Sequence, residues 1–281
     1  MYRVMRLMFC AFCGVICFSG QSHGGAQGGE GKAFVIEGGS TAQGGLLYGH
    51  SLSDAEVKAR GGYLVYCSSG RFMLAIPPSA GEEIVLFAKR GDRKVKKRVP
   101  VTQRRYEVEH VDGLPQEQIS PPESVWERIQ KEREQIKASR DDTMGCQRSP
   151  LPRFSYPVRG RISGVYGSRR VFNGVQRAPH FGLDIAAPQG TKITAPLDGR
   201  VILTGKDFFY AGNIVILDHG MGLSSLYAHM DSIAVSYGDM LRRGDVMGEV
   251  GATGRATGPH LHWGINLGPW PLDPALLLVE P

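Results

Sequence analysis

Along the front of the chain, apolar residues come in short runs at 33–36, 62–66, 72–76 and 84–88, separated by turn residues. Runs of four or five residues at this spacing predict a small antiparallel β-sandwich over residues 33–115. The segment 89–98 reads as a hairpin turning at Gly91 and Asp92. Its cations suit a solvated edge strand guarded by lysine, with contact to an anionic polymer as the second reading. The pattern then changes to the helical period. Val125, Ile129 and Ile136 share one face, Glu127 stands four residues before Lys131, and Ser120 with Glu123 forms a capping box around Pro121 at the first helical position. The rest of this stretch is charged, which predicts a helical linker within 116–150. Beyond residue 151, Asp198 with Gly199, Asp218 to Gly220, Gly238 with Asp239 and Gly244 with Asp245 punctuate apolar runs such as 213–217. These turns predict a second, antiparallel β-domain over 151–281. The expected fold is mainly all-β: an N-terminal β-sandwich, a helical linker and a C-terminal antiparallel β-sheet domain.

Composition agrees. At 281 residues, 42% apolar and 21% charged, the chain can bury a sizeable core and is neither disordered, collagenous nor multi-span. A formal charge of +6 is too weak to argue for nucleic acid, and none is expected as a partner. Arg3 and Arg6 followed by an apolar run at 7–18 and small residues read as a secretory signal over 1–20. The run is shorter than the roughly twenty residues needed to span a bilayer, so no integral span is expected after cleavage. Residues 21–32 are Gly-rich and read as a flexible tail. Cys10, Cys13 and Cys17 leave with the signal, and the remaining Cys67 and Cys146 suggest one disulfide in an exported protein.

The chemistry concentrates in the last segment, which holds His180, His219, His229, His260 and His262. Residues two apart in a strand project from one face with Cα atoms about 7 Å apart, so His260 and His262 point into one space. Asp184 lies too far from His180 along a straight strand to share a metal with it, and Gly182 is expected to let the chain curl and bring them together. Two imidazoles and a carboxylate with a fourth position open describe a catalytic zinc site. The same donors also serve non-haem iron, although oxygenases of that class typically carry His-x-Asp. From residue 151 onward the only glutamates are Glu249 and Glu280, outside any histidine motif. A zinc hydrolase built here must therefore use histidine as its acid and base. His219, between Asp218 and Gly220, reads as structural, and Tyr227 and Trp263 as core or wall. The aromatics of the 206–212 loop either line a groove or simply pack. Asn173 reads as a turn residue, with contact to the site in an autoinhibited form as the second reading.

At these residues the chain resembles the lysostaphin/LytM-type (β-lytic) zinc metallopeptidases, which cut peptide cross-links of bacterial peptidoglycan. The resemblance rests on His180 with Asp184, on the segment 226–230 ending in His229 and Met230, and on His260-Leu261-His262. It extends through 182–190 and 251–263, covering about residues 154–275. It implies that His180, Asp184 and His262 bind one Zn2+, that His229 and His260 flank the metal-bound water as catalytic residues, and that the substrate is peptidoglycan. It also implies a periplasmic destination. The front half, including the 111–115 segment, is similar to the β-domain and helical linker of exported Gram-negative members, which leaves a regulatory protein partner open. Two other classes compete. One is a non-enzymatic wall-binding protein or amidase activator on the same fold. The other is a lipoyl- or biotinyl-carrier-like domain suggested by 235–245, which lacks an acceptor lysine in a hairpin centre.

Overall fold

The front of the molecule forms strands, some alternating buried and exposed residues and others buried along most of their length. The computed structural model describes residues 34–111, 121–148, 150–172, 174–176 and 178–279. The signal-like segment, the Gly-rich tail, Ser120 of the capping box, the 112–115 stretch and Asn173 lie outside the described residues. Strands β1 (Phe34–Gly39), β2 (Leu46–Ser51), β4 (Tyr63–Tyr66) and β5 (Arg71–Ala75) make one antiparallel sheet in the order β1-β2-β5-β4. Strands β3 (Glu56–Arg60), β6 (Glu83–Arg90) and β7 (Arg93–Pro100) make a second, in the order β3-β6-β7. Arg90 pairs with Arg93 across Gly91 and Asp92, so the expected hairpin forms, with Gly91 at φ 58° in the left-handed region that such a turn requires.

The two sheets enclose Phe34, Leu47, Phe72, Leu74, Ile84, Leu86 and Val99. The four-stranded sheet is buried on its other face as well. Leu46, Tyr48, Met73 and Ala75 pack into a core shared with Leu223, Trp263 and Leu267 of the C-terminal half. Burial on both faces explains why 72–76 reads as an unbroken apolar run rather than as an alternating one. The expected bridge between Cys67 and Cys146 is present, with Cα atoms 5.8 Å apart.

After β8 (Val108–Val111) comes the one α-helix among the described residues, α1 (Trp126–Ser139), preceded by a 3-10 turn over Glu123–Val125. The helix starts later than the capping box implies. Pro121 precedes another proline, which disfavours the α region for it, and Pro122 itself is extended at ψ 148°. Ile129 is buried and Ile136 packs with Ile202, Phe208 and Ile214, while Glu127 and Lys131 form the expected ion pair at 2.6 Å.

The C-terminal half adds β9 (Arg161–Gly164), β10 (Arg169–Phe172), β11 (Val175–Gln176), β12 (Leu183–Ala186), β13 (Lys192–Thr194), β14 (Gly199–Phe208) and β15 (Gly212–Gly220). It continues with β16 (Leu223–Ile233), β17 (Met240–Leu241), β18 (Val246–Val250), β19 (His260–Leu267) and β20 (Trp270–Leu272). The main sheet runs β17-β14-β15-β16-β19-β12-β9 and is antiparallel throughout. Leu261, Trp263 and Ile265 of β19 are fully buried, so the alternate residues His260 and His262 face away from this core. β8 pairs in parallel with β10, joining the front of the chain to the segment that leads to His180.

His219 closes a buried polar chain beneath the sheet. Its Nδ1–H donates to the Asp198 carbonyl at 2.7 Å, and its Nε2 accepts from the Ser225 hydroxyl at 2.7 Å. The Tyr227 hydroxyl donates in turn to Ser225 at 2.7 Å. Burial depresses the His219 pKa from 6.5 to about 4, so the ring is neutral. Because the unfolded chain takes up this proton first, stability is complete above pH 6.5. It falls as the pH drops from 6.5 towards 4, by about 3 kcal/mol in total. Urea denaturation at both ends of this window should show that loss, and His219→Gln should make the pH slope shallower by this share. An equal pH slope in both proteins would remove His219 as the cause.

Candidate metal centre and active groove

Three elements deliver three donor atoms to one point. Asp184 of β12 stands directly opposite His262 of β19, so both side chains leave the same face. The His262 Nδ1 lies 2.8 Å from Asp184 Oδ1, and His180 Nε2 lies 3.0 Å from each of those two atoms. His180 sits in the loop ahead of β12, where its N–H donates to the Ser168 carbonyl and its own carbonyl accepts from Gly167. Its Nδ1 is 3.0 Å from the Val165 carbonyl. A carbonyl only accepts, so that nitrogen carries the proton and Nε2 keeps its lone pair for the site. Burial pushes the Asp184 pKa up, but the adjoining imidazoles of His180 and His262 outweigh it and hold the carboxyl well below its ordinary range.

Gly182 acts differently from the expectation. Its φ is not left-handed, so it supplies space rather than a special turn. A Cβ there would stand 2.5 Å from His262 Cε1 and 2.8 Å from the Trp263 carbonyl. That carbonyl belongs to a central strand and cannot retreat. Gly182→Ala should therefore displace the His262 ring and weaken any metal binding there by at least about tenfold in a chelator-competition titration. Unchanged affinity would show that the ring has room to adapt. Gly164 plays the same part for the carboxylate, since a Cβ there would fall 2.4 Å from Asp184 Oδ2.

His229 reaches the groove through a β-bulge. Asn213 pairs with Met230 and Val215 with Tyr227, so Ala228 and His229 together oppose the single residue Ile214. His229 has φ 64°, a conformation uncommon for a residue with a side chain. Regular alternation would have sent it into the core beside Tyr227. Instead its ring lies 4.7 Å from that of His260 and 6.2 Å from that of His262, centroid to centroid. Its Nδ1–H donates to the Thr253 carbonyl at 2.9 Å, and the Nδ1–H of His260 donates to the Gly258 carbonyl at 2.8 Å. Both rings thus keep an Nε2 lone pair. Burial, reinforced by the neighbouring histidines and only partly offset by the Thr253 hydrogen bond, lowers the His229 pKa from 6.5 to about 4.

All five residues singled out in the sequence line one groove of about 630 Å³. Its walls also include Tyr210, one of the loop aromatics weighed for a groove, and Arg161 and Arg255, which pattern reading missed. Of the three loop aromatics, Phe208 is core and Tyr210 reaches the groove, its ring 4.4 Å from the Arg255 guanidinium carbon. Helix α1 ties this loop down: Glu132 accepts from the Phe209 N–H at 2.8 Å, and Arg128 donates to the Asp207 carbonyl. Among the described residues, His180, Asp184 and His262 are the group whose donor atoms lie within 4.8 Å of one another. Two imidazole nitrogens and one ionised carboxylate with an open side match the donor set of catalytic zinc.

Fold and site define a mainly antiparallel β protein with a His–Asp–His donor cluster that could hold a metal ion. Residues 178–274 match the family model described as peptidase family M23. The crystal structure of a protein assigned to peptidase M23 from Pseudomonas aeruginosa is 30% identical, with 84% of this chain and 94% of that one covered and a TM-score of 0.61. The chain belongs to peptidase family M23. It is also similar to the DD-carboxypeptidase/endopeptidase Mpg of Neisseria meningitidis, with 43% identity covering 34% of this chain and 22% of that protein. The peptidoglycan DD-endopeptidase ShyA of Vibrio cholerae is 42% identical over 38% of this chain and 26% of its own length. The chain thus spans about a quarter of the length of these two relatives. Among the described residues no helix is long and apolar enough to cross a membrane.

Proposed function

We propose that the protein is a zinc metalloendopeptidase that hydrolyses peptide cross-links of bacterial peptidoglycan. The observation that carries this reading is the convergence of His180, Asp184 and His262 on one point, with His229 and His260 on its open side. The intact ligand set argues against a non-enzymatic member of the fold. When bound by His180, Asp184 and His262, zinc supplies Lewis-acid polarisation of the scissile carbonyl and lowers the pKa of water towards ~7. The tautomers of His229 and His260 present two lone pairs to the groove, so both start as proton acceptors. His260 takes the proton of the attacking water and returns it to the leaving amine. His229, neutral and with its Nε2 lone pair facing the groove, accepts a hydrogen bond from the attacking water and orients it. Arg161 and Arg255 give the groove cations that complement the carboxylates of wall peptides.

The same reading keeps 33–115 as a front β-domain, 116–150 as its linker and 151–281 as the peptidase domain. Residues 1–20 then direct export to the periplasm, where the substrate lies. Mass spectrometry of purified peptidoglycan incubated with the protein tests the activity. Cross-linked dimers should become monomers in untreated protein and persist when a chelator is present. Persistence under both conditions would overturn the endopeptidase reading.

A further inference from the structure

The three-stranded sheet of the front half has one face in the core and one in solvent. Ile84, Leu86, Ala88 and Val99 point inward, with Val57, Ala59 and Val95 packed against them. Strand alternation therefore sends the remaining positions outward. Register places Lys58 and Lys96 on either side of Phe87, Arg60 and Arg98 on either side of Val85, and Glu56 and Lys94 on either side of Lys89. This face carries six cations, Lys58, Arg60, Lys89, Lys94, Lys96 and Arg98, against the two anions Glu56 and Glu83. All eight are exposed. Two ion pairs form within it, Lys58 with Glu56 at 2.5 Å and Arg98 with Glu83.

Edge protection accounts for cations on β3 and β7. It does not account for the central strand β6, which has no edge to guard. There Lys89 faces Lys94 directly across the ladder, an arrangement of like charges that costs stability. There too Phe87 is left 38% exposed between two lysines, whereas Val85, flanked by Arg60 and Arg98, is 2% exposed. A depression of about 170 Å³ lies beside Phe87, with Lys58, Lys89 and Lys94 in its lining. The face is also the outermost layer, because the four-stranded sheet separates it from the core shared with the C-terminal half.

We propose that this outer face of β3, β6 and β7 is a docking surface for an anionic glycan–peptide polymer, separate from the groove. That the polymer is the cell wall rests on the reading of the groove given above. Phe87 offers a flat apolar surface to the C–H faces of sugar rings, and the cations pair with repeated carboxylates. A single exposed pair contributes little, so the affinity comes from engaging several along one polymer. A lipid surface fits less well, since Phe87 is the only large apolar side chain this face exposes.

The test is co-sedimentation of the full chain, held in chelator to prevent cleavage, with insoluble peptidoglycan sacculi. Wild type should sediment with sacculi at low salt and be released at high salt. The triple variant Lys58→Gln/Lys94→Gln/Lys96→Gln should bind at least about tenfold more weakly. Its melting temperature and its turnover of a soluble cross-linked muropeptide dimer should match wild type. Unaltered sedimentation of the triple variant, wild type that stays in the supernatant, or a matching loss of turnover on the soluble dimer would each overturn the proposal. So would sedimentation with phosphatidylglycerol vesicles in place of sacculi. Wild type that holds sacculi through these lysines yet cleaves no soluble dimer leaves the docking surface standing and sinks the endopeptidase reading instead.

Discussion

Replacing His262 by alanine should abolish zinc binding and cleavage together, whereas replacing His260 should abolish cleavage and leave zinc in place. The two residues stand two apart on β19 and face the same groove, so spacing alone makes them equivalent. Their ring nitrogens separate them. His262 points Nδ1 at Asp184 Oδ1, 2.8 Å away, and lies within the three-donor group. His260 lies outside that group, fixes its Nδ1 on the Gly258 carbonyl and stacks towards His229. Loss of a general acid or base costs about a hundredfold or more in rate, while loss of one of three protein ligands removes the metal. Metal analysis of each purified variant, paired with turnover of a cross-linked dimer, reads both effects. Added zinc should raise the melting temperature of His260→Ala and not that of His262→Ala, because a ligand stabilises only a folded site that binds it. Zinc retained by His262→Ala and lost by His260→Ala would reverse the roles.

Part of this site is legible in the sequence because some of its spacing is local. His260 and His262 share a face by a period of two, whereas the register that sets Asp184 opposite His262 joins residues far apart in the chain. The front hairpin at Gly91 and Asp92 and the helical stripe of Ile129 and Ile136 are legible as local patterns too. What escapes is what depends on departures from regularity. The bulge that turns His229 out of the core arises from a mismatch of one residue between β15 and β16, and no local pattern announces it. The space that Gly182 leaves is needed by the ring of a residue eighty positions later, which nothing local in the sequence signals. Tyr210, Arg161 and Arg255 are brought to the groove by long-range packing, and only the cluster of three aromatics at 208–210 hinted at one of them. The sequence also hid the double burial of the four-stranded sheet, because an apolar run such as 72–76 looks the same whether one or two layers cover it.

Removing the Cys67–Cys146 bridge should cost more stability than any single surface change, and should do so without removing the metal site. The bridge joins residues 79 apart, and chain entropy for a loop of that length amounts to about 4–5 kcal/mol. Cys67 is 3% exposed and belongs to the core shared by the two halves, whereas Cys146 follows the helix in a 3-10 turn. The link therefore ties the front sheets to the far end of α1. All five site residues lie beyond the closed loop, between positions 180 and 262, so zinc binding should persist in Cys67→Ala/Cys146→Ala at moderate temperature. The groove wall is a different matter. Glu132 and Arg128, which hold the 207–209 backbone, lie inside the loop, and their helix gains freedom once the bridge is gone. The double variant should accordingly keep its zinc content and lose thermal stability, with a Michaelis constant for wall peptides that rises more than kcat falls. Urea denaturation of oxidised and double-variant protein, analysed where both unfold in one step, measures the stability term. Alkylation of unreduced wild type should find no free thiol at either position. A difference in unfolding free energy below about 1 kcal/mol would mean that the unfolded chain is already restrained without the bridge.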